Sequence, residues 1–348
     1  MSYVAIQGGA EAISASKSLY QKMIKGTFLS ENAQQTPLLF GLDRIMSEGA
    51  LYSQQLGLKA IKYSGCDLLE AAFYLRAHRS TCQRVGHCST ITSYDIRAIR
   101  RISSAFKEIP DGQMLGPSSD YILKLLTKKQ SFSTKPAGCR ATTEQQVASA
   151  LDALRKQKKI LQPEVDEEEP FDITRSSPLP PYPRSSLMQM MARGETGSML
   201  GFAYTSMRGY GDVHPTIGDL RIGMVAIRYP HPFTGNEVTV GEIRVTAVET
   251  VGSFKKDPID GKLRLATGFG FCFGFNETKA IAMSILDLAL TYPSFSIGGT
   301  GVATSAEMIF HHIDGIESMG FTNHFKMPHY VTFQADLHTF NKAGKHHD

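Results

Sequence analysis

The spacing of apolar and polar positions changes character along the chain. Tyr3 to Ile6 form a short apolar run, Gly8 and Gly9 turn the chain, and Ala10 to Met23 show helical spacing through Ile13, Leu19 and Met23. This predicts strand, turn and helix. Thr36 and Pro37 place a cap and a first-turn proline before LLFGLDRIMSEG, and Asp67 caps LLEAAFYLRAHRS, a run rich in strong helix formers. In DIRAIRRISSAF, Arg97, Arg100 and Arg101 fall at i, i+3 and i+4, which predicts one basic helix face. Such a face is either solvated surface or a contact for phosphates or an acidic partner.

The composition shifts between residues 131 and 186, with the basic run RKQKK, the acidic run EVDEEE and the proline-rich SSPLPPYPRSS. Charge blocks and prolines cannot build a core, so this reads as a linker; within it TTEQQVASALDALRKQ carries a capping box and predicts one isolated helix. Beyond it LRIGMVAIRY and EVTVGEIRVTAVE alternate as strands joined through HPFTGN, a hairpin. Val238 and Val240 share one phase and Ile243 and Val245 the other, a slip that predicts a β-bulge at Gly241-Glu242 and a re-aimed Glu242. The whole pattern predicts an α+β fold. A mainly helical module covers 1–130, a polar linker 131–186, and a mixed module 187–348 holds an antiparallel sheet packed with helices.

Three stretches carry candidate chemistry. GFGFCFGFN alternates Phe269, Phe271, Phe273 and Phe275 with Gly268, Gly270 and Gly274, so one strand face is aromatic and the other bare. The bare face admits either a ligand or a tightly packed helix. Asn276 then caps a helix whose N-terminus can receive an anion, and Asp287, the one charge in the apolar run of that helix, requires a partner if buried. RGYGDVHP offers Arg208 for phosphate, Gly209 and Gly211 for close backbone approach, and His214 for a proton, although glycine and proline equally suit a plain turn. NHFKMPHYVTF sets His324 and His329 five apart across Pro328, which predicts a loop leading into a strand YVTF. Two histidines make at most half of a zinc site.

Composition narrows the function classes. Of 348 residues, 37 are Lys or Arg and 33 Asp or Glu, an excess too small for a nucleic-acid binder. The N-terminal segment has no leader pattern and no stretch reaches membrane-span length, so a cytoplasmic protein with no membrane contact is expected. Five scattered cysteines read as reduced thiols, and Cys82 and Cys88 around His87 match no common zinc spacing. Neither a Walker A motif nor a strand-borne G-x-G-x-x-G occurs.

Taken in order, YVAIQGGAEAI, LDRIMSEG, FYLRAHRS, RRISSAFKEIPDGQMLGP, DITR, PRSSLMQMMARGETG, AYTSMRGYGDVHP, VGEI, GFCFGFNETKAIAMSILD and GFTNHFKMPHYVTFQADL resemble one family: PhnI, the I subunit of the bacterial carbon-phosphorus lyase core complex. The likeness runs from Tyr3 to Leu337. It departs at Asp111-Gly112, where the family has Gly-Gly, and in the acidic run at 164–169. The resemblance implies partnership with the G, H, J and L subunits and formation of α-D-ribose 1-methylphosphonate 5-triphosphate from methylphosphonate and MgATP, with adenine released. It also implies nucleosidase action on ATP or GTP by this subunit alone, and a zinc ion bound by His324 and His329 at the contact with the J subunit, which would supply the remaining ligands.

Breaking an N-glycosidic bond passes through an oxocarbenium-like state that needs a carboxylate, a proton donor for the purine and cations for the triphosphate. Glu242, His214 and Arg208 are the expected holders of those roles, with Gly209, Gly211 and Asn276 at the substrate. Glu249 and Asp287 are rival carboxylates, and Arg97, Arg100 and Arg101 rival phosphate ligands. The competing function is a scaffold that contributes only half of an interfacial zinc site; a stand-alone zinc hydrolase lacks a third ligand.

Overall fold

The computed structural model describes residues 10–28, 39–120, 145–146, 148–162, 169–207, 215–293 and 301–344. Helices α1 (Ala10–Phe28), α2 (Leu39–Glu48), α3 (Gln54–Tyr63) and α4 (Leu68–Ser80) precede β1 (Arg97–Ile102), β2 (Gln145–Gln146) and the short α5 (Asp152–Lys156). Then come α6 (Arg184–Arg193), α7 (Thr196–Met207), β3 (Thr216–Pro230), β4 (Glu237–Lys256), β5 (Leu263–Phe273), α8 (Glu277–Thr291), α9 (Ala306–His312), α10 (Gly315–Phe325) and α11 (Tyr330–Gly344). The strands form one antiparallel sheet in the order β2-β1-β3-β4-β5, so the chain is α+β, with its early helices ahead of a sheet built largely in the second half.

Local chemistry accounts for several elements. Asp67 accepts from the amides of Leu69 (2.9 Å) and Glu70 (3.2 Å), the cap expected for α4. The hairpin β3–β4 closes as expected through residues 231–236, with Gly235 at φ +70°. A bulge is present one residue earlier than the pattern places it: Ile227 faces Gly241 and Arg228 faces Thr239, leaving Val240 unopposed. On one sheet face α8 packs directly on β5. A Cβ added to Gly268 would lie 2.0 Å from the Ser284 carbonyl oxygen, and one added to Gly270 2.0 Å from that of Ala280, so the bare strand face is filled by helix backbone.

Three expectations change. DIRAIRRISSAF is strand β1, not a helix, with a bulge between Ala98 and Arg100; Ile96, Ile99 and Ile102 favour a pleated, half-buried surface over the helix that the arginine spacing suggested. Arg100 and Arg101 are buried and do not form a basic surface with Arg97. YVTF opens helix α11 instead of a strand: Tyr330, Phe333, Leu337 and Phe340 keep a helical stripe over about three turns, which outweighs the local β preference. The helix expected at TTEQQVASALDALRKQ shrinks to α5. Its surroundings are not isolated, because Leu151, Ile160 and Leu161 are buried and Ile160 bridges Leu265 of β5. The predicted strand at Tyr3–Ile6 and the Thr36-Pro37 cap lie outside the described residues.

The helical layer meets the sheet through buried charge. Lys279 of α8 is fully buried, its Nζ donates to Ser47 Oγ at 3.0 Å, and burial pulls its pKa from 10.5 down to about 8. Between those two values the unfolded chain holds a proton that the folded chain has lost, so this group makes stability rise with pH across that window. Relative to Lys279→Met, the wild-type chain is expected to gain on the order of 3 kcal/mol between pH 8 and 10.5, at about 1.4 kcal/mol per pKa unit. Urea midpoints of both proteins at the two pH values measure it; a constant difference refutes it.

Candidate functional site

Because α8 occupies the glycine face, the opposite face of β5 is the one left to line space. There Phe269 stands opposite Glu249 of β4, Phe271 opposite Ala247 and Phe273 opposite Val245. A row of cavities follows these alternate residues, which lie about 7 Å apart along a strand. The apolar one, about 300 Å³, is walled by Ile91, Ile96, Met188, Phe269 and Phe271. Beyond Phe269 a polar one of about 220 Å³ is lined by Arg155, Arg184, Glu249 and Thr267. It shares Arg184 with a wide recess of about 860 Å³ that also carries Lys255, Lys256 and Tyr182. At the other end, a cavity of about 240 Å³ shares Gln189, Ala192 and Phe271 with the apolar one.

The carboxylates along this row have defined partners. Glu249 accepts from Arg155 Nη2 at 2.5 Å and from the Ser149 hydroxyl. Burial pulls the Arg155 guanidinium down, but Glu249 and Asp152 outweigh it and hold the pKa above the ordinary value. Asp287 is buried and clasped by Arg184 Nε at 2.8 Å and Nη2 at 2.7 Å, and it accepts from the Phe269 amide at 2.8 Å. The partner that its apolar helix demanded is therefore Arg184. Asp287 anchors β5 and orients Arg184, while Glu249 presents a carboxylate next to the aromatic wall.

The expected site residues are distributed unevenly. Arg208, Gly209, Gly211 and His214 lie outside the described residues. Glu242 shares its face with Arg244 and Thr246, opposite to that of Ala247 and Glu249, and is ion-paired with Arg97 at 2.6 Å. The bulge thus leaves Glu242 about half exposed on the sheet face away from the Phe269–Phe271 row, in the surface ion pair that an ordinary strand position would make. Asn276 occupies the N-cap of α8 without a side-chain cap bond: its Nδ2 donates to Asp43 O (2.9 Å) and Phe273 O (2.6 Å). Glu277, paired with Arg100 at 2.5 Å, fills the first turn of α8 where an anion was expected.

His324, in the last turn of α10, and His329, just before α11, are brought together with their Nε2 atoms 3.2 Å apart. The Met327 carbonyl can only accept, so His329 Nδ1, 2.6 Å away, carries the hydrogen and leaves Nε2 as a free ligand atom. Two zinc–nitrogen bonds of about 2.0–2.1 Å at a tetrahedral angle put the nitrogens roughly 3.3 Å apart, which this pair matches. Among the described residues no group of three or more His, Cys, Asp or Glu could hold a metal ion.

Sequence reasoning did not single out Arg155, Gln189, Arg79 or Arg193 as lining the row. Their common position emerges only when α4, α5 and α6 fold over the strand whose Phe alternation was visible.

The chain matches the family model described as bacterial phosphonate metabolism protein (PhnI) over residues 2–347. It is 43% identical to a putative C-P lyase subunit protein HtxH of Stutzerimonas stutzeri, over 97% of this chain and 94% of that protein. It is 36% identical to the α-D-ribose 1-methylphosphonate 5-triphosphate synthase subunit PhnI of Escherichia coli strain K12, over 96% of each chain. With the protein of the same description from Rhizobium meliloti strain 1021 it shares 33% identity over 99% of this chain and 96% of the other.

Proposed function

The chain belongs to the PhnI family of bacterial phosphonate metabolism proteins, and from that premise we propose that it is a cytoplasmic subunit of a carbon-phosphorus lyase complex. In this reading it displaces adenine from MgATP by methylphosphonate to give α-D-ribose 1-methylphosphonate 5-triphosphate; alone, with water as nucleophile, it removes the base from ATP or GTP. The names of two relatives support the synthase reaction. The observation that carries it is the apolar cavity lined by Phe269 and Phe271, with the Glu249 carboxylate in the adjoining cavity that shares Phe269. Flat aromatic walls suit a purine.

The reaction breaks C1′–N9, with the electron pair leaving on the purine, and forms a bond from C1′ to a phosphonate oxygen. Departure is easiest when N7 gains a proton. Glu249 accepts from the purine's exocyclic amine and stabilises the positive charge that arrives with that proton, while Arg155 and Ser149 hold the carboxylate in place. His214 is the proposed proton source, and Arg208 with the backbone of Gly209 and Gly211 the proposed cradle of the Mg-bound triphosphate. Incubating the full chain with MgATP and separating the products tests the reading: free adenine is expected. No adenine, with or without methylphosphonate and the partner subunits, leaves a scaffold role instead.

For partnership, Tyr330, Phe333, Leu337 and Phe340 expose one apolar stripe on α11, beside the histidine pair. The G, H, J and L subunits are the proposed partners, with zinc shared between His324, His329 and the J subunit. Among the described residues no helix is long and apolar enough to cross a membrane. His324→Ala and His329→Ala replace exposed side chains, so the chain is expected to fold and release base normally while the assembled complex loses zinc. Metal analysis of purified complexes measures this, and equal zinc content in mutant and wild-type complexes rules the site out.

A further inference from the structure

The cavity of about 240 Å³ at the Phe273 end of the row carries more positive charge than its own lining balances. Arg79, near the end of α4, and Arg193, the last residue of α6, both line it, and none of its lining residues is a carboxylate. The Arg79 guanidinium has no hydrogen bond or ion pair among the described residues. Arg193 Nε is buried without a hydrogen bond, its closest carboxylate oxygen being that of Asp314 at 3.5 Å. Behind the cavity wall Lys279 donates to Ser47, itself a lining residue.

The surroundings add to the imbalance. Burial lowers the pKa of Arg79, and the Arg84 and Arg76 charges lower it further; Asp172 opposes them. Arg193 is lowered by burial and by Arg76 and Arg79, against Asp314 and Glu317. Two arginines line one small space, and the Asp314 carboxylate near Arg193 is shared with Arg76, so a dianion that both arginines hold through charged hydrogen bonds would be stabilised there.

Size and wall chemistry narrow that dianion. The volume is below the range of nucleotide-sized sites, so a single tetrahedral oxyanion fits and a triphosphate does not. Gln189, Thr174 and Ser47 add polar contacts, whereas Ile173, Phe271 and Phe273 line the remainder with apolar surface. A free inorganic oxyanion has nothing to place against that surface; a short alkyl group does. Gln189, Ala192 and Phe271 also wall the purine cavity, so an oxyanion here adjoins the base-binding space along the line of β5.

We infer that this cavity is the phosphonate subsite: Arg79 and Arg193 bind the PO₃ group of a short alkylphosphonate, with its alkyl chain against Phe273 and Ile173. The inference rests on the base-displacement reading. In it, the ribosyl C1′ sits at the shared wall, with the purine on one side and the phosphonate on the other. A phosphonate oxygen then forms its bond to C1′ from the side opposite N9 as C1′–N9 breaks, and the purine takes the electron pair and a proton.

The test uses Arg79→Met and Arg193→Met in the full chain, with Arg79→Lys and Arg193→Lys as conservative variants and Arg175→Ala as a control on an exposed arginine outside the cavity. Thermal melts confirm folding. In ribosyl-phosphonate synthesis with the partner subunits, KM for methylphosphonate is expected to rise about tenfold or more in each Met variant. The KM for MgATP should move far less, the Lys variants should recover part of the loss, and Arg175→Ala should match wild type. Calorimetric titration of methylphosphonate into the full chain, in parallel with inorganic phosphate, tests the site apart from turnover. Absence of adenine from the wild-type reaction defeats base displacement but leaves the titration decisive for the site. No saturable methylphosphonate heat in wild type, unchanged KM and binding in folded Met variants, or equal affinity for inorganic phosphate each overturns the assignment.

Discussion

Gly270→Ala is expected to destabilise the protein by about 3 kcal/mol, lowering its melting temperature by roughly 4 °C. The new Cβ would sit 2.0 Å from the Ala280 carbonyl oxygen and 3.0 Å from Ala280 C and Ser284 N, all backbone atoms of α8. No rotamer change can relieve a clash with helix backbone, so α8 must lift from β5. That movement would open a core that includes Val248, Cys272 and Ala280. Gly201→Ala provides the contrast. Its Cβ meets nothing within 4 Å on α7, so the same change there should be neutral or stabilising by roughly 0.5–1 kcal/mol through helix propensity. Thermal melts of both variants decide the matter: a wild-type melt for Gly270→Ala would mean that the glycine face is open space after all.

The glycine face also shows where the sequence is informative and where it stops. Alternation of Phe and Gly in β5 is a period-two signal, so a strand with two unlike faces was legible. Which face would meet the helix was not, because a glycine accommodates helix backbone and ligand equally well. Asp67, Asp287 and the hairpin were readable for a related reason: a cap, a buried carboxylate and a turn each impose a local requirement that one residue satisfies. The failures share the opposite property. Arg100 and Arg101 satisfy helical spacing, yet their guanidinium groups are buried against partners distant in sequence, Leu115 O and Asp120 for Arg100, Pro110 O and Ala148 O for Arg101. Spacing carries no information about such partners.

The same limit applies to the site. The phase slip before Glu242 correctly implied a bulge, but the direction in which a bulge turns a side chain depends on register with the neighbouring strands, and Arg97 of β1 was waiting on that side. Glu249 carries no local mark at all. Already a rival carboxylate in the sequence, it moves ahead of Glu242 only through its register opposite Phe269 and its contact with Arg155, almost a hundred residues earlier in the chain. The closeness of the two histidines was readable from their spacing, yet the helices on both sides of them were not. Proline between the two argued for a loop, and the helical stripe begins only at Tyr330.

Glu249→Gln is expected to cut base release from saturating MgATP by two or more orders of magnitude while leaving KM for MgATP close to wild type. The neutral purine of the bound nucleotide can donate its exocyclic hydrogen to an amide oxygen almost as well as to a carboxylate. Only the N7-protonated purine of the transition state carries the positive charge that the carboxylate stabilises, so removing the negative charge raises the barrier without weakening ground-state binding. Arg155 keeps Asp152 as a partner at 2.9 Å, and Ser149 remains beside the amide, so the fold around α5 should survive the substitution. Glu242→Gln removes a surface ion pair on the other sheet face and should keep near-normal turnover with a stability loss under about 1 kcal/mol. Adenine release and a thermal melt measured on both variants separate the alternatives. A folded Glu249→Gln protein that releases adenine at the wild-type rate sinks the role proposed for Glu249, and inactivity of Glu242→Gln instead would return the catalytic carboxylate to the bulged strand.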